Sequence, residues 1–269
     1  MIPFLGPTDP FPPVEQALDH PDGLLAAGGT LTLKRLVDAY RHGIFPWFND
    51  GDPVLWWSPD PRTVLAPARL HVSHSLRKKL KKGEFLVTID AAFGRVLDGC
   101  AAPRADDSGT WLTAHMRRAY TSLHVAGLAH SIEVWMDGEL AGGMYGVAIG
   151  RMFFGESMFS RRTDASKIAM ARLAVQLDRW QVPLIDCQLE TDHLLSLGAE
   201  RMPRRQFVRE VERLVREPEP PWQLDIDLRG DEAHGPRTLR AQDPRPDPQV
   251  PSPKPQDPLS SDRGRAKGP

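Results

Sequence analysis

The sequence predicts a mixed α/β (α+β) fold, and three patterns in its second half carry that prediction. Bulky apolar residues alternate over 131–136, 140–149 and 152–159, which is the pattern of half-buried strands. An apolar stripe with helical spacing follows over 165–177. A second short run, Leu184 to Leu189, then has the length of a strand. Three strands, a helix and a fourth strand are therefore the expected core.

Local signals place the turns and the remaining helices. Asp137-Gly138 is a strong hairpin signal, and Gly142, Gly143 and Gly146 indicate a bulge or a close approach to the backbone. Thr163 or Asp164 is expected to cap the central helix. Further helices are predicted from a Thr32 cap to Gly43, within 71–83, over 90–99, over 109–124 and from Pro203 onwards.

Composition is that of an ordinary soluble globular protein, with 41% hydrophobic and 26% charged residues in a chain of 269. The net charge of −1 provides no global attraction for nucleic acid, so such binding would need a local patch. Two cysteines, Cys100 and Cys187, make no disulfide framework. No run reaches the length of a membrane span. A reduced, cytoplasmic protein without a membrane partner is the expectation.

The last part of the sequence differs in composition from the rest. From about Pro218 prolines recur and apolar residues almost disappear. Such a segment cannot bury enough surface to offset its chain entropy, so residues 218–269 are predicted to be disordered, although Trp222 could dock on the body.

A basic segment lies in the predicted helix within 71–83. Leu76 and Leu80 are four residues apart, so one edge can dock while the charged side chains face solvent. Phosphate backbones are the natural partner of such a patch, and a solvated charge run is the alternative. The cations are Arg77, Lys78, Lys79, Lys81 and Lys82.

Two further features of the sequence are candidates for a functional site: a polar pair on a predicted strand and two groups of aromatic residues in loops. Asp186 and Gln188 alternate on one face of the predicted strand, where they would be costly unless hydrogen-bonded or used. They are either a satisfied polar pair at a strand end or part of a site. Aromatic residues in the Pro- and Gly-bounded stretches 44–48 and 55–62 can stack on a base, line a pocket or plug an interface.

Several long and specific segments occur in order from residue 11 to about 215. They include Tyr-Arg-His-Gly-Ile-Phe-Pro-Trp-Phe (40–48), Leu-Trp-Trp-Ser-Pro-Asp-Pro-Arg (55–62), Gly-Glu-Ser-Met-Phe-Ser-Arg (155–161) and Leu-Ile-Asp-Cys-Gln (184–188). In these segments the chain resembles the leucyl/phenylalanyl-tRNA–protein transferase family. At two positions the chain departs from the family pattern: Asp164 stands where the family often has Asn, and Thr191 where some members have Asn.

The resemblance implies a small N-terminal domain (1–62) joined to an acyltransferase domain of the GNAT type (63–217), acting as a monomer. It implies transfer of Leu or Phe, and less well Met, from aminoacyl-tRNA to the N-terminal Arg or Lys of a protein. In bacteria this marks the protein for degradation through the N-end rule. Amide formation from an ester is downhill, so this chemistry requires no ATP, metal, cofactor or covalent intermediate.

The implied reaction assigns roles to particular residues. Asp186 would orient or deprotonate the attacking α-amine, with Gln188 holding that carboxylate or a reacting group; a relay and pure orientation are both consistent with the sequence. Glu156 would bind the acceptor cation. Met144, Phe153, Met170 and Leu173 would line the donor pocket or form ordinary core, and Tyr40, Trp47 and Trp111 would hold the terminal adenosine.

Two other functions compete with this one. An acyl-CoA-dependent N-acetyltransferase of the same fold usually has a glycine-rich turn before a helix, but residues 160–167 contain no glycine and an added acid. A non-catalytic RNA-binding module is the second alternative, and it would give no role to the Asp186–Gln188 pair or to Glu156. Cys187 is expected to be a buried small residue, His193 a minor contact, and the histidines have no metal-ligand spacing.

Overall fold

In the computed structural model, residues 1–102, 112–230 and 234 are described. Within them the chain forms eleven strands, eight α-helices and two short 3-10 helices, Val14–Gln16 and Pro67–Arg69. The strands are β1 (Phe4–Leu5), β2 (Leu24–Gly28), β3 (Phe45–Pro46), β4 (Leu55–Trp57), β5 (Arg62–Leu65), β6 (Leu86–Ile89), β7 (Ala129–Met136), β8 (Glu139–Ile149), β9 (Met152–Ser160), β10 (Leu184–Gln188) and β11 (Glu200–Met202). The helices are α1 (Leu33–Arg41), α2 (His74–Lys82), α3 (Phe93–Ala101), α4 (Ala114–Val125), α5 (Ala165–Arg179), α6 (Asp192–Ser196), α7 (Arg204–Leu214) and α8 (Ile226–Arg229).

The strands form two sheets. The smaller has the order β1-β2-β4-β3, and the larger has the order β11-β5-β10-β9-β8-β7-β6. In the larger sheet β9 and β10 are parallel, with α5 as the connection between them, and the other pairs are antiparallel. The prediction of a mixed α/β fold is confirmed.

The hairpin between β7 and β8 forms for the reason that the sequence indicated. Asp137 and Gly138 have φ values of 53° and 83°, the left-handed conformation that a tight hairpin turn requires. In β8 the register slips between Tyr145 and Gly146. A Cβ atom on Gly146 would lie 2.4 Å from the ring of Phe153, so both the bulge and the close approach are present.

Helix α5 begins where it was predicted, although its cap differs from the expected one, whereas helices α3 and α4 begin later than predicted. Asp164 occupies the cap position of α5, but its side chain makes no capping bond, and Ser160 Oγ accepts the Ser166 N–H instead at 2.9 Å. Helix α4 begins at Ala114, because the Thr113 hydroxyl accepts the Met116 N–H. Residues 109–111 of that predicted helix lie outside the described part of the chain.

The chain passes from the smaller sheet to the larger between β4 and β5, close to the predicted boundary at residue 62. One core cluster nevertheless contains residues from both sides, such as Leu36 and Tyr40 together with Phe154 and Phe207. The described residues up to 230 belong to one compact unit, so the division into 1–62 and 63–217 stays a prediction.

The segment 218–230, predicted to be disordered, packs against the body. Trp222 stacks on His130 with ring centroids 4.0 Å apart, and Leu224 and Leu228 are buried. Arg179 on α5 pairs with both Asp225 and Asp227. The prediction of disorder is wrong for these residues, because Trp222, Leu224 and Leu228 join the same hydrophobic cluster, and the docking expected of Trp222 is confirmed. Of the rest of the tail, His234 alone is among the described residues.

Candidate active site

The ends of β9 and β10 border a cleft of about 450 Å³. Their parallel pairing ends at Asp186 opposite Phe154, just before the residues that line the cleft. Ligands of open α/β sheets commonly bind beyond the carboxyl ends of parallel strands. The lining comprises Phe45, Pro46, Trp47, Gly155, Glu156, Ser157, Met158, Met170, Ile185, Asp186, Cys187, Gln188, Leu189, Thr191, His193 and Leu194.

Glu156 lies half-buried at this cleft, and three side chains from three other elements hold its carboxylate. The Tyr40 hydroxyl on α1 donates to Oε1 at 2.7 Å, and the Tyr120 hydroxyl on α4 donates to Oε2 at 2.5 Å. Gln188 Nε2 on β10 donates to Oε1 at 3.1 Å. The position of the carboxylate is therefore determined from several directions.

The setting of Glu156 changes its acidity. Burial raises the pKa of its carboxyl group to about 7, against the opposing effect of the three donors. Burial also raises the pKa values of Tyr40 and Tyr120 well above the ordinary value, so both are neutral donors near pH 7. A carboxylate with this pKa, open to a cleft, can receive a cation.

A side chain that accepts a proton from the substrate must be accessible from the cleft, and the carboxylate of Asp186 is not accessible. Its side chain is 0% exposed and forms a two-pronged ion pair with Arg62, from Nε to Oδ1 at 2.8 Å and from Nη2 to Oδ2 at 2.7 Å. The Asp186 residue borders the cleft, but its carboxylate is covered. Of the two roles left open by the sequence, orientation fits this geometry.

Gln188 breaks the regular alternation of β10. The register against β5 slips between Asp186 and Gln188, and Gln188 has φ 60°. The prediction that simple strand alternation points both side chains the same way is therefore wrong at Gln188. Its backbone N–H donates to Asp186 Oδ1 at 2.9 Å while its side chain reaches Glu156. Gln188 thus connects the two acids.

The apolar wall of the cleft differs in part from the predicted donor pocket. Met170 lines the cleft, together with Met158 and Ile185, which the sequence analysis did not single out. Three predicted members lie in the core instead, where α5 covers the sheet, and are at most 1% exposed: Met144, Phe153 and Leu173. Alternating and helical apolar patterns mark burial but do not distinguish a core layer from a cleft wall.

The three predicted adenosine contacts have different positions. Trp47 is 41% exposed at the cleft, where its backbone carbonyl accepts the Trp57 Nε1–H. Tyr40 is 0% exposed, which contradicts a stacking role, because its ring is in the core and its hydroxyl holds Glu156. Trp111 lies outside the described residues.

The predicted basic patch forms helix α2, apart from the cleft. Lys79 pairs with Asp164 at 2.9 Å and Lys82 with Glu84 at 2.8 Å, while Arg77, Lys78 and Lys81 are exposed. Asp164 also pairs with Lys167 at 3.5 Å. Burial, and to a smaller extent the positive charge of Lys167, lowers the pKa of His193, which lines the cleft. Charged residues thus lead from α2 across the start of α5 to the cleft.

The remaining predicted residues have mainly local roles. Thr191 Oγ1 caps α6 by accepting the Leu194 N–H at 3.2 Å. Burial raises the pKa of the Cys187 thiol well above its ordinary value, which argues against a nucleophile. Among the described residues no three His, Cys, Asp or Glu side chains are grouped to hold a metal ion. No described helix is long and apolar enough to cross a bilayer.

Sequence reasoning missed Arg62 and Tyr120. Arg62 is 124 residues from Asp186 along the chain, and Tyr120 is 36 residues from Glu156. The one signal for Arg62 was its place at the end of the aromatic, proline-bounded stretch 55–62. Tyr120 has none, since it lies on the ordinary buried face of α4.

Comparison with known proteins identifies the family. The family model for leucyl/phenylalanyl-tRNA protein transferase matches residues 64–212, and the model for its N-terminal domain matches residues 29–60. The chain belongs to the leucyl/phenylalanyl-tRNA–protein transferase family. The resemblance seen in the sequence is confirmed, and the two family models meet where the chain passes between the sheets.

Curated members of the leucyl/phenylalanyl-tRNA–protein transferase family are similar over most of the chain. The protein of that name from Nitrosomonas europaea is 59% identical over 214 residues, which cover 80% of this chain and 91% of the relative. That from Bordetella bronchiseptica is 55% identical over 230 residues, covering 82% and 91%.

Solved structures are much less similar. A GCN5-related N-acetyltransferase from Kribbella flavida has a TM-score of 0.31 and 15% identity, covering 60% of this chain and 58% of that one. L-PGS from Bacillus licheniformis has a TM-score of 0.35 and 9% identity, covering 62% and 53%. Likeness at this level carries no argument, so the assignment to the GNAT type rests on the family resemblance.

Proposed function

We propose that this chain is an aminoacyltransferase that moves Leu or Phe, and also Met, from aminoacyl-tRNA to the N-terminal Arg or Lys of an acceptor protein. Membership of the transferase family supports the reaction. The observation that carries the proposal is Glu156, a carboxylate held by Tyr40, Tyr120 and Gln188 at a cleft that also has an apolar wall.

Glu156 receives the cationic side chain of the acceptor. A guanidinium or ammonium group placed in the cleft forms charge-assisted hydrogen bonds with the carboxylate, and the added positive charge favours its ionised form. The pKa of about 7 means that a modest interaction is enough to ionise it completely. Acceptors beginning with an uncharged residue lack this contact.

The donor amino acid occupies the apolar side of the cleft. Met158, Met170 and Ile185 present unbranched or aliphatic surface without a hydroxyl partner, which suits Leu, Phe and Met side chains of different shape. Trp47, exposed at the cleft, stacks on the terminal adenosine of the tRNA.

The reaction is ester aminolysis. The neutral α-amine of the acceptor attacks the ester carbonyl, a C–N bond forms, the bond from carbonyl carbon to ribose oxygen breaks, and the proton from nitrogen ends on the ribose hydroxyl. The pKa of an α-amine is near 8, so little help with deprotonation is required. Asp186 and Gln188 orient the groups that position the amine, and most of the rate comes from alignment.

Helix α2 supplies the contacts to tRNA phosphates. Lys78 and Lys81 are exposed cations on this helix. We expect Lys78→Glu with Lys81→Glu to weaken binding of Leu-tRNA roughly tenfold and to reduce the salt dependence of binding by about two phosphate contacts. Peptide affinity should not change. Filter binding at several salt concentrations measures this, and unchanged tRNA affinity would remove α2 from the interface.

An acyl-CoA-dependent N-acetyltransferase is the less favoured function. A pyrophosphate needs free N–H groups and positive potential at the start of a helix. At the start of α5 the Asp164 carboxylate is present, paired with Lys79 and Lys167, and the Ser166 N–H is bonded to Ser160. This arrangement disfavours a CoA pyrophosphate there.

The cellular setting follows from the substrates. Aminoacyl-tRNA is a cytoplasmic reagent, and we place the reaction in that compartment. A newly attached Leu or Phe would mark the acceptor for degradation through the N-end rule. We further propose that the chain acts as a monomer, as the family resemblance implies.

A transfer assay tests the proposal. Purified protein is mixed with radiolabelled Leu-tRNA and one of two peptides that differ only in beginning with Arg or Ala. We expect labelled product with the Arg peptide alone, and none when Leu-tRNA is replaced by labelled acetyl-CoA. Equal labelling of both peptides would contradict the role of Glu156, and acetylation would favour the alternative function.

A further inference from the structure

Arg62 is a fully buried cation close to the site. It opens β5, which pairs antiparallel with β10, and its guanidinium lies between the rings of Phe45 and Phe207 at 4.7 and 4.6 Å from their centroids. Its side chain is 1% exposed, and Nη1 has no hydrogen-bond partner among the described residues. Burying an arginine in this way is unfavourable unless its charge is matched.

The charge is matched by Asp186, whose carboxylate oxygens accept hydrogen bonds from Arg62 and from the backbone of Gln188. Oδ1 accepts from Arg62 Nε and from the Gln188 backbone N–H, and Oδ2 accepts from Arg62 Nη2. The two-pronged contact determines the plane of the carboxylate. Asp186 in turn holds the backbone of Gln188 in the left-handed conformation, at φ 60°.

A side-chain hydrogen bond connects Gln188, and through it the Arg62–Asp186 pair, to Glu156. With its backbone held at Asp186, Gln188 directs Nε2 to Glu156 Oε1 at 3.1 Å. Phe45 adjoins this arrangement from the smaller sheet and also lines the cleft. A continuous series of contacts therefore runs from the Arg62 guanidinium to the carboxylate at the cleft.

We propose that Arg62 is a positioning residue, which acts through Asp186 to hold Gln188 against Glu156, and that the Asp186 carboxylate takes no proton from the substrate. The inference rests on the proposed transferase function. It is carried by the burial of Asp186 and by the occupation of both of its oxygens. A base that exchanges protons with an amine in the cleft needs direct access to it or a bridging water.

A double-variant cycle tests the proposal by transfer kinetics. Arg62→Gln and Asp186→Asn each break the ion pair, and we expect kcat to fall about 100-fold in each, with KM for both substrates within threefold. In the double variant the Gln amide can donate to the Asn oxygen, which still accepts the Gln188 N–H. We expect kcat to recover at least tenfold. A double variant as slow as Asp186→Asn would overturn the proposal, because the carboxylate itself would then be needed.

Arg62→Lys provides a second test that keeps the buried charge and so protects folding. A lysine cannot form the two-pronged contact, so we expect kcat to fall about tenfold without a change in KM. An unchanged kcat would overturn the positioning role. Arg213→Gln, on an exposed arginine of α7 outside the site, is the matched control and should behave as the wild type.

Hydrogen exchange at the Gln188 amide separates this inference from the proposed function. In the wild type the N–H bonded to Asp186 should be protected, and in Arg62→Lys it should exchange at least tenfold faster. Equal protection in both proteins would overturn the positioning role. Faster exchange in a protein whose wild type transfers no Leu would leave the positioning role standing and reject the transferase.

Discussion

Glu133 and Glu156 are two carboxyl groups of the larger sheet with the same altered acidity in different surroundings. Burial raises the pKa of each to about 7. Both accept two short hydrogen bonds from hydroxyl groups. They differ in what else surrounds them and in whether a second molecule can reach them.

Glu133 on β7 is closed to solvent and saturated. Its side chain is 0% exposed, and it accepts from the Ser131 and Thr88 hydroxyls at 2.5 Å each. It also accepts the backbone N–H groups of Ala91 and Ala92, at 3.3 and 3.4 Å, just before α3. Glu133 thus holds the two backbone N–H groups that immediately precede the first turn of α3, whose cap residue Ala92 supplies no side-chain bond.

Glu156 on β9 is held by side chains and remains open to the cleft. Its donors come from α1, α4 and β10, and within the described part of the chain no backbone N–H group donates to it. A raised pKa therefore does not by itself identify a functional acid. Access to a cleft distinguishes Glu156 from the structural carboxylate.

The largest expected effect is a loss of transfer activity in Glu156→Gln, which would distinguish Glu156 from the structural acid Glu133. Glu156→Gln removes the charge that receives the acceptor cation, and we expect kcat/KM for an Arg peptide to fall at least 100-fold, about 3 kcal/mol. The free energy of unfolding should stay within about 1 kcal/mol, because a buried charge is also removed. Transfer kinetics and urea unfolding measure the two. A large loss of stability would make Glu156 a second structural acid.

The converse variant is Glu133→Ala. It leaves hydroxyl and N–H donors buried without an acceptor, so we expect the free energy of unfolding to fall by about 3 kcal/mol. For a domain of this size the melting temperature should fall by roughly 10 °C. The kcat/KM of the folded fraction at low temperature should match the wild type. A specific loss of activity without loss of stability would contradict the structural assignment.

The pKa of Glu156 predicts a pH dependence of acceptor binding. Since its pKa lies at about 7, the carboxyl group is protonated at lower pH and loses its attraction for a cation. An N-acetylated Arg peptide, which has no titrating α-amine, should bind about tenfold more weakly at pH 6 than at pH 8. Titration calorimetry measures this. The same slope in Glu156→Gln would assign the titration to another group.

The smallest expected effects come from removing one hydroxyl at each acid. Tyr120→Phe removes the donor to Glu156 Oε2, so the pKa of Glu156 should rise further and Arg-peptide affinity at pH 7.5 should fall about threefold. Thr88→Val removes a donor to Glu133 and should lower the free energy of unfolding by about 1 kcal/mol with normal kinetics. If Tyr120→Phe instead lowered stability and Thr88→Val instead lowered Arg-peptide affinity, the assignment of Glu156 to the site and of Glu133 to the structure would be wrong.

The prediction from sequence succeeded where the signal is local. Strand β9 with Glu156, helix α5 and strand β10 appear with nearly the predicted bounds, because alternation and helical spacing reflect burial within each element. The cleft wall was predicted less well: Met170 is on it, but Met144 and Leu173 are in the core. All three side chains satisfy the same apolar pattern and are buried in the same cluster, and tertiary packing alone decides which of them borders the cleft.

The sequence by itself determined the order β7-β8-β9-α5-β10, the hairpin at Asp137-Gly138, the family and the presence of an acid and an amide at the end of β10, but not the strands β1 to β6 and β11. Only the tertiary structure decided that Asp186 pairs with Arg62 and that Tyr40 and Tyr120 hold Glu156. These partners are far apart along the chain. Their contacts depend on strand order, on the irregular register at Gln188 and on helix docking, which no local pattern of residues encodes.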